Sequence, residues 1–316
     1  MMKRTSQKPK AVLIAGPTAS GKSALAHLLA SALPGIIINA DSMQVYRELR
    51  ILTARPSLAE ERALPHWLYG TVGAGEPYSV ARWLEDVKGA LGQAHSLGRV
   101  PILVGGTGLY FEALTKGLAA IPPIPPEIRE GLRLQLAEAG VEGLHAQLAA
   151  ADPVMGGRLR PTDPQRILRA LEVLQVTGRS LALWQAEKQA PPLLPLEETV
   201  ALALVPPREP LYHAIDARFR RMVEAGALEE VRALMGLGLA PAAPALKALG
   251  VAPLAAHVAG ELSLDAAIAA GQIASRHYAK RQLTWLRHKM ISWRCYNAQY
   301  SESLGQEILA FVTDKG

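Results

Sequence analysis

A block of five apolar residues, 11–15, leads into a glycine-rich octet, after which apolar residues recur at helical spacing over 24–33. Two more short apolar blocks, 36–38 and 101–104, are separated by an amphipathic stretch over 80–97. Short blocks without polar alternation predict strands buried on both faces, and the stretches between them predict crossover helices. That rhythm implies a parallel sheet. Past residue 120 the pattern changes. Four prolines fall within 121–126, and the pattern is helical from there to about Gln189, clearest over 127–139, 141–150 and 164–176. A second proline group stands at 191–195, and 199–205 reads as a buried strand again. The pattern predicts one core, 1–120 plus 197–316, interrupted by a helical insertion, 121–196. The last hundred residues are mostly helical, with a strand-like 290–296.

Composition narrows the class. With 316 residues, 49% of them hydrophobic, the chain can bury a sizeable core. The net charge of +6 favours an anionic partner, but charge alone does not separate a nucleic-acid binder from a merely basic protein. Cys295 is the single cysteine, which excludes an internal disulfide and suits a reducing compartment. No Cys/His group has zinc-site spacing, so no structural zinc is expected. The basic residues 1–5 are not followed by a signal-like apolar run, and no stretch approaches the ~20 apolar residues of a membrane span. The expected location is the cytoplasm, without membrane contact, and the default state is a monomer.

The octet Gly16-Pro17-Thr18-Ala19-Ser20-Gly21-Lys22-Ser23 fits G-x-x-x-x-G-K-S between a strand and a helix. In that setting backbone N–H groups and the helix N-terminus close around phosphate oxygens. Lys22 would reach the outer phosphates and Ser23 could hold Mg²⁺. The expected fold class is therefore α/β, a P-loop NTPase-like parallel sheet with a helical insertion domain. By motif alone the loop suits ATP. Yet the strand over 101–104 ends in Gly105-Gly106, where NTP-hydrolysing machines carry an acid, which argues against a motor or switch.

Two further constellations fall at strand ends, the edge where open α/β sheets bind ligands. Asp41, in Asn39-Ala40-Asp41-Ser42-Met43-Gln44-Val45-Tyr46, is either a helix cap or a carboxylate for base or Mg²⁺ work. Thr107, in Gly105-Gly106-Thr107-Gly108-Leu109-Tyr110, either caps a turn or presents a hydroxyl to a ligand. From 266 to 301 there is no acid, while Arg276, Lys280, Arg281, Arg287, Lys289 and Arg294 alternate with Tyr278, Trp285, Trp293, Tyr296 and Tyr300. This suits a phosphate backbone with aromatics for stacking, or else a solvated helix whose tryptophans face the core. Arg166 and Arg169 share a helix face; spacing alone favours a solvated, salt-bridged one.

Taken together, these segments resemble the tRNA dimethylallyltransferase family over nearly the whole chain. Besides the three motifs, the resemblance rests on Asp-Pro-Gln-Arg-Ile-Leu-Arg-Ala-Leu-Glu-Val (163–173) and Ala-Lys-Arg-Gln-Leu-Thr-Trp (279–285). It implies transfer of a dimethylallyl group from dimethylallyl diphosphate to N6 of the adenosine 3′ of the anticodon, with Mg²⁺ as cofactor. The phosphate loop would then hold a leaving group rather than a triphosphate. The resemblance implies Asp41 as the base for N6 and Thr107 as hydrogen-bond partner of the bridging oxygen. It assigns Arg218 to the diphosphate. Ser42, Met43, Gln44, Arg129, Gln165, Arg166, Ile167, Leu168 and Arg169 match tRNA-contacting segments, as do Lys247, Gly250, Lys280 and Arg281. The insertion and the basic C-terminal region would grip the anticodon stem-loop. Val251, Arg220 and Leu286 depart from the family pattern, none of them at Asp41, Thr107 or the loop. Three other readings are a small-molecule kinase, a prenyltransferase acting on free adenine nucleotides and an RNA-binding module that senses nucleotide. The basic C-terminal region argues against the first, the insertion against the second, and Asp41 with Thr107 against the third.

Overall fold

The structure, a computed structural model, describes residues 9–187 and 191–315. Residues 1–5 and Gln189, the end of the helical pattern, lie outside the described residues. The core is a six-stranded parallel sheet, ordered β3-β2-β4-β1-β5-β6. Its strands are β1 Ala11–Ala15, β2 Gly35–Asn39, β3 His66–Trp67, β4 Val100–Gly105, β5 Thr199–Leu204 and β6 Arg294–Tyr296. Four of them occupy the apolar blocks. Strand β3 is too short to leave a periodic signal. Strand β6 is shorter than 290–296 because Met290 is the C-cap of the helix Leu264–Lys289.

Successive residues of the inner strands point to opposite faces, so two cores form. Leu13, Ile36, Ile38 and Leu103 join one, under the helices Val80–Ser96 and Leu264–Lys289. Val12, Ile14, Ile37 and Ile102 join the other, under Lys22–Ala32 and Glu302–Lys315. Each large aliphatic side chain so buried contributes about 1.5–3 kcal/mol. Register then places the site: Ala15 pairs with Gly105, and Asn39 with Val104, so β1, β2 and β4 end level. A third cluster joins residues 43–52 to Arg208–Glu224, Ala227–Gly236, Val251–Val258 and the first half of Leu264–Lys289.

The chain divides into two compact units, Met1–Thr115 with Leu193–Gly316, and Lys116–Pro192. The boundaries fall a few residues before 121 and 196. Within the second proline group, Leu194 is already buried in the sheet core, and its N–H donates to the Leu114 carbonyl at 3.1 Å. The second unit is helical: Pro126–Ala151, Pro153–Arg158, Pro164–Thr177 and Leu181–Ala186. Its first helix breaks at Gly140 (φ 70, ψ 177), between the stretches 127–139 and 141–150. Leu132, Leu144, Leu148, Ile167 and Leu171 form its own core.

Candidate active site

The phosphate loop joins β1 to the helix Lys22–Ala32. Two left-handed residues, Ala19 (φ 62) and Gly21 (φ 87), curl the backbone into a concave N–H cradle. A Cβ at Gly21 would overlap Tyr300, so the turn closes only with glycine there. Not every loop residue faces the cradle. The Thr18 N–H donates to Gln282 Oε1 at 3.0 Å, and Ser20 turns its hydroxyl, buried and unpartnered, towards Gly16. Pro17 offers its carbonyl to Lys22 Nζ at 3.2 Å. Burial lowers the Lys22 pKa to about 8, with Arg218 adding repulsion and Asp41 opposing both. Burial likewise lowers Arg218, joined by Arg221 and opposed by Asp41. Ser23 lies exposed on the first helical turn beside them.

Asp41 does not cap a helix. It sits in an Asx turn, its Oδ1 accepting the Met43 N–H at 2.9 Å. The fully buried Asn39 holds its backbone: Asn39 Oδ1 accepts the Asp41 N–H at 2.8 Å, and Asn39 Nδ2 donates to the Asp41 carbonyl at 3.0 Å. Across the sheet, Gly105 must lack a side chain because the Ala40 carbonyl occupies that space. This close approach brings Thr107 to Ser42, whose N–H donates to the Thr107 hydroxyl at 3.0 Å. Tyr278 stands near Thr107, and burial pushes its hydroxyl well above the usual tyrosine range, with Asp41 pushing the same way.

Two cavities flank this arrangement. One of about 280 Å³ is lined by Lys22, Ser23, Gln44, His66, Tyr69 and Arg218. The other, about 180 Å³, is mostly apolar; Gly16, Thr107, Phe111, Tyr278, Trp285 and Leu286 line it. Tyr278, Gln282 and Trp285 were not foreseen as part of the site. Their spacing of four and three residues, one face of a helix, carried the signal; the cation run beside them pointed to RNA instead.

The basic stretch divides by what its cations contact. Lys280, Arg281 and Arg287 are exposed on the helix Leu264–Lys289. Arg276 is paired with Asp216, and Lys289 with Glu112. Arg294 lies on β6, over Phe311. None of the five aromatics is an exposed stacking platform: Trp293 and Tyr296 are buried, Tyr300 packs on Gly21, and Tyr278 and Trp285 line the apolar cavity. Gln44 donates both amide hydrogens inward, to the Thr53 and Ala54 carbonyls at 2.8 and 3.0 Å. Ser42 and Met43 are half-buried beside Asp41. Lys247 is exposed, but Gly250 is buried with φ 90, and a Cβ there would stand 2.8 Å from Phe219. Gly250 thus seats the helix that carries Arg218 rather than offering a surface.

In the helical unit, Gln165, Arg166 and Arg129 are exposed, while Arg169 and Leu168 are half-buried. Ile167 is fully buried, so its side chain belongs to the core. Arg166 pairs with Asp163 at 3.4 Å, and Glu172 takes Arg169 at 3.3 Å and Arg129 at 4.0 Å. The exposed Arg166–Asp163 pair contributes about 0–1 kcal/mol, little enough to exchange for a phosphate, whereas Glu172 is largely buried between its two arginines.

No helix among the described residues is long and apolar enough to cross a membrane. Comparison with known proteins identifies the family. A family model described as IPP transferase matches residues 44–289. A tRNA dimethylallyltransferase of Rhodopseudomonas palustris is 55% identical over 297 residues, covering 94% of this chain and 92% of that protein. One from Parvibaculum lavamentivorans is 52% identical over 308 residues, 97% of each. Among solved structures, a tRNA isopentenylpyrophosphate transferase from Bacillus halodurans superposes with TM-score 0.70 at 32% identity, covering 98% of this chain and 97% of that one. A eukaryotic dimethylallyltransferase described as acting on tRNA gives TM-score 0.81 at 26% identity, covering 96% and 78%. The chain belongs to the IPP transferase family, among relatives named tRNA dimethylallyltransferase.

Proposed function

We propose that the protein transfers the dimethylallyl group of dimethylallyl diphosphate to N6 of the adenosine 3′-adjacent to the anticodon in tRNA, releasing diphosphate. One observation carries this reading: a carboxylate, a hydroxyl and a half-buried cation pair converge at three level strand ends beside an apolar cavity. The diphosphate would lie in the cradle against Lys22 and Arg218, and the prenyl tail in the cavity lined by Phe111, Trp285 and Leu286. As N6 bonds to the first prenyl carbon, the bond from that carbon to the bridging oxygen breaks. Asp41 accepts the N6 proton, through the oxygen not engaged by Met43. Negative charge then grows on the diphosphate, where Lys22, Arg218, the cradle amides and the Thr107 hydroxyl are preorganised to receive it.

Ser23 suits Mg²⁺. Its exposed hydroxyl has no hydrogen-bond partner among the described residues and faces the cation-rich cavity. Among the described residues no group of three His, Cys, Asp or Glu could hold a metal alone, so an ion at Ser23 would take its remaining ligands from phosphate oxygens and water. Bound Mg²⁺ neutralises diphosphate charge.

The acceptor base must leave its stack to reach Asp41. The exposed Lys280 and Arg281, together with Arg129, Gln165, Arg166, Arg169 and Lys247, would hold the anticodon stem-loop. The names of the relatives, and the description of one solved neighbour as acting on tRNA, support that acceptor. A reducing, cytoplasmic location fits the single, exposed Cys295.

The test is purified protein with dimethylallyl diphosphate and Mg²⁺, offered either tRNA or AMP. Prenyl transfer to tRNA but not AMP is expected. ATP-dependent phosphorylation without prenyl transfer overturns the reading.

A further inference from the structure

Gln282 spans the two halves of the site. It is 6% exposed and uses both ends of its amide. Its Oε1 accepts the N–H of Thr18 in the phosphate loop at 3.0 Å, and its Nε2 donates to the carbonyl of Gly106 at 3.0 Å. One turn earlier on the same helix, Tyr278 lines the same cavity as Gln282 and Thr107. The Gly106 position leaves room for this strap, since a Cβ there would overlap the Gln282 amide nitrogen. A single side chain thus ties the loop after β1 to the turn after β4 that carries Thr107.

We infer that Gln282 is a positioning residue for prenyl transfer, setting the spacing between the diphosphate cradle and the Thr107 hydroxyl through its two hydrogen bonds to the backbone. The inference rests on the proposed activity. There the bridging oxygen must lie against the loop and Thr107 at once, so the distance between them is part of the catalytic geometry. Displacements of about 1 Å in such an arrangement cost on the order of 10²-fold in rate. The strap uses the Thr18 N–H, so it orients the loop at the expense of one amide that the phosphate would otherwise take. A purely structural Gln282 would merely satisfy two buried backbone groups.

The two roles separate experimentally. Gln282→Met keeps the length of the side chain and removes both hydrogen bonds; Gln282→Glu keeps the acceptor for Thr18 and loses the donor to Gly106, and serves if the methionine variant does not fold. Each is measured for kcat, for KM of dimethylallyl diphosphate, for tRNA affinity and for unfolding midpoint, alone and combined with Thr107→Ala. For Gln282→Met, kcat should fall about 10–100-fold with unchanged tRNA affinity. Thr107→Ala should cost far less in that background than in the wild type, because the hydroxyl is already out of register. A lowered midpoint with unchanged kcat per folded molecule, or a Thr107→Ala loss that multiplies in full, overturns the inference. Calorimetry with inorganic diphosphate reads the loop without turnover: weaker binding by Gln282→Met is expected, and equal binding counts against the strap. If the wild type transfers no prenyl group to tRNA, the activity reading fails instead, and the calorimetry still decides whether Gln282 shapes the cradle.

Discussion

Ser42 and Thr107 meet across the ends of β2 and β4. The Ser42 N–H donates to the Thr107 hydroxyl at 3.0 Å, and that hydroxyl donates in turn to Ser42 Oγ at 3.3 Å. The residue next to the proposed base therefore orients the proposed leaving-group partner. The proton now held by Ser42 is the one that can turn to a bridging oxygen. Thr107→Val keeps the side-chain shape and removes that donor. Its kcat should fall about 10²–10³-fold, the loss typical of one oxyanion donor. Thr107→Ser should retain most activity. Equal activity of the valine variant in single-turnover assays would remove Thr107 from the mechanism.

Asp41 combines a structural and a chemical task that one substitution separates. Asp41→Asn still presents an oxygen to the Met43 N–H, so the turn survives, but it no longer accepts a proton. The chemical step should slow by roughly two to four orders of magnitude, with the melting temperature and tRNA affinity close to those of the wild type. A collapse of tRNA binding with normal chemistry at saturation would make Asp41 an RNA contact rather than a base.

The low pKa of Lys22, about 8, makes donor binding depend on pH. Burial and Arg218 disfavour its charged form in the free protein. A bound diphosphate favours that form and raises the pKa, so binding above pH 8 takes up a proton. Below about 8 the lysine is already charged and affinity is flat with respect to this group. Above it, affinity should fall until the higher pKa of the complex is reached. Calorimetry with inorganic diphosphate, in buffers of different ionisation enthalpy, should show proton uptake at pH 9 and none from this group at pH 6.5. Lys22→Met should abolish the difference; its persistence in that variant would move the linkage elsewhere.

The four central strands and the loop were legible because each is a local pattern: an apolar block, a glycine-rich turn, a helical period. Asp41 and Thr107 were legible as residues at strand ends, but their hydrogen bond was not, since it depends on β2 lying beside β4 rather than beside β1. Burial within the helix Leu264–Lys289 was the least visible. Tyr278 and Gln282 line the apolar cavity, with the exposed Arg281 at its edge, while Lys280 faces solvent; the spacing marks a shared helix face, and packing decides that this face meets the site. The same holds for Gly250, whose tRNA-contact expectation gives way to its fit against Phe219.

That sorting has a measurable consequence for the basic helix. Lys280 and Arg276 are both cations of one acid-free run, yet only Lys280 is unpaired and exposed among the described residues. Arg276 Nη1 lies 2.6 Å from both carboxylate oxygens of Asp216, on the helix that carries Arg218. A lysine that contacts phosphate releases counterions on binding, so Lys280→Ala should weaken tRNA affinity and make the log–log salt slope shallower by about 0.7–0.9. Arg276→Ala should leave the slope unchanged and cost about 1 kcal/mol of stability, the upper range for a partly exposed ion pair. Filter binding between 50 and 200 mM salt, with thermal melts of both variants, tests the pair. A slope change in Arg276→Ala, or none in Lys280→Ala, would mean that the RNA meets a different face of the helix.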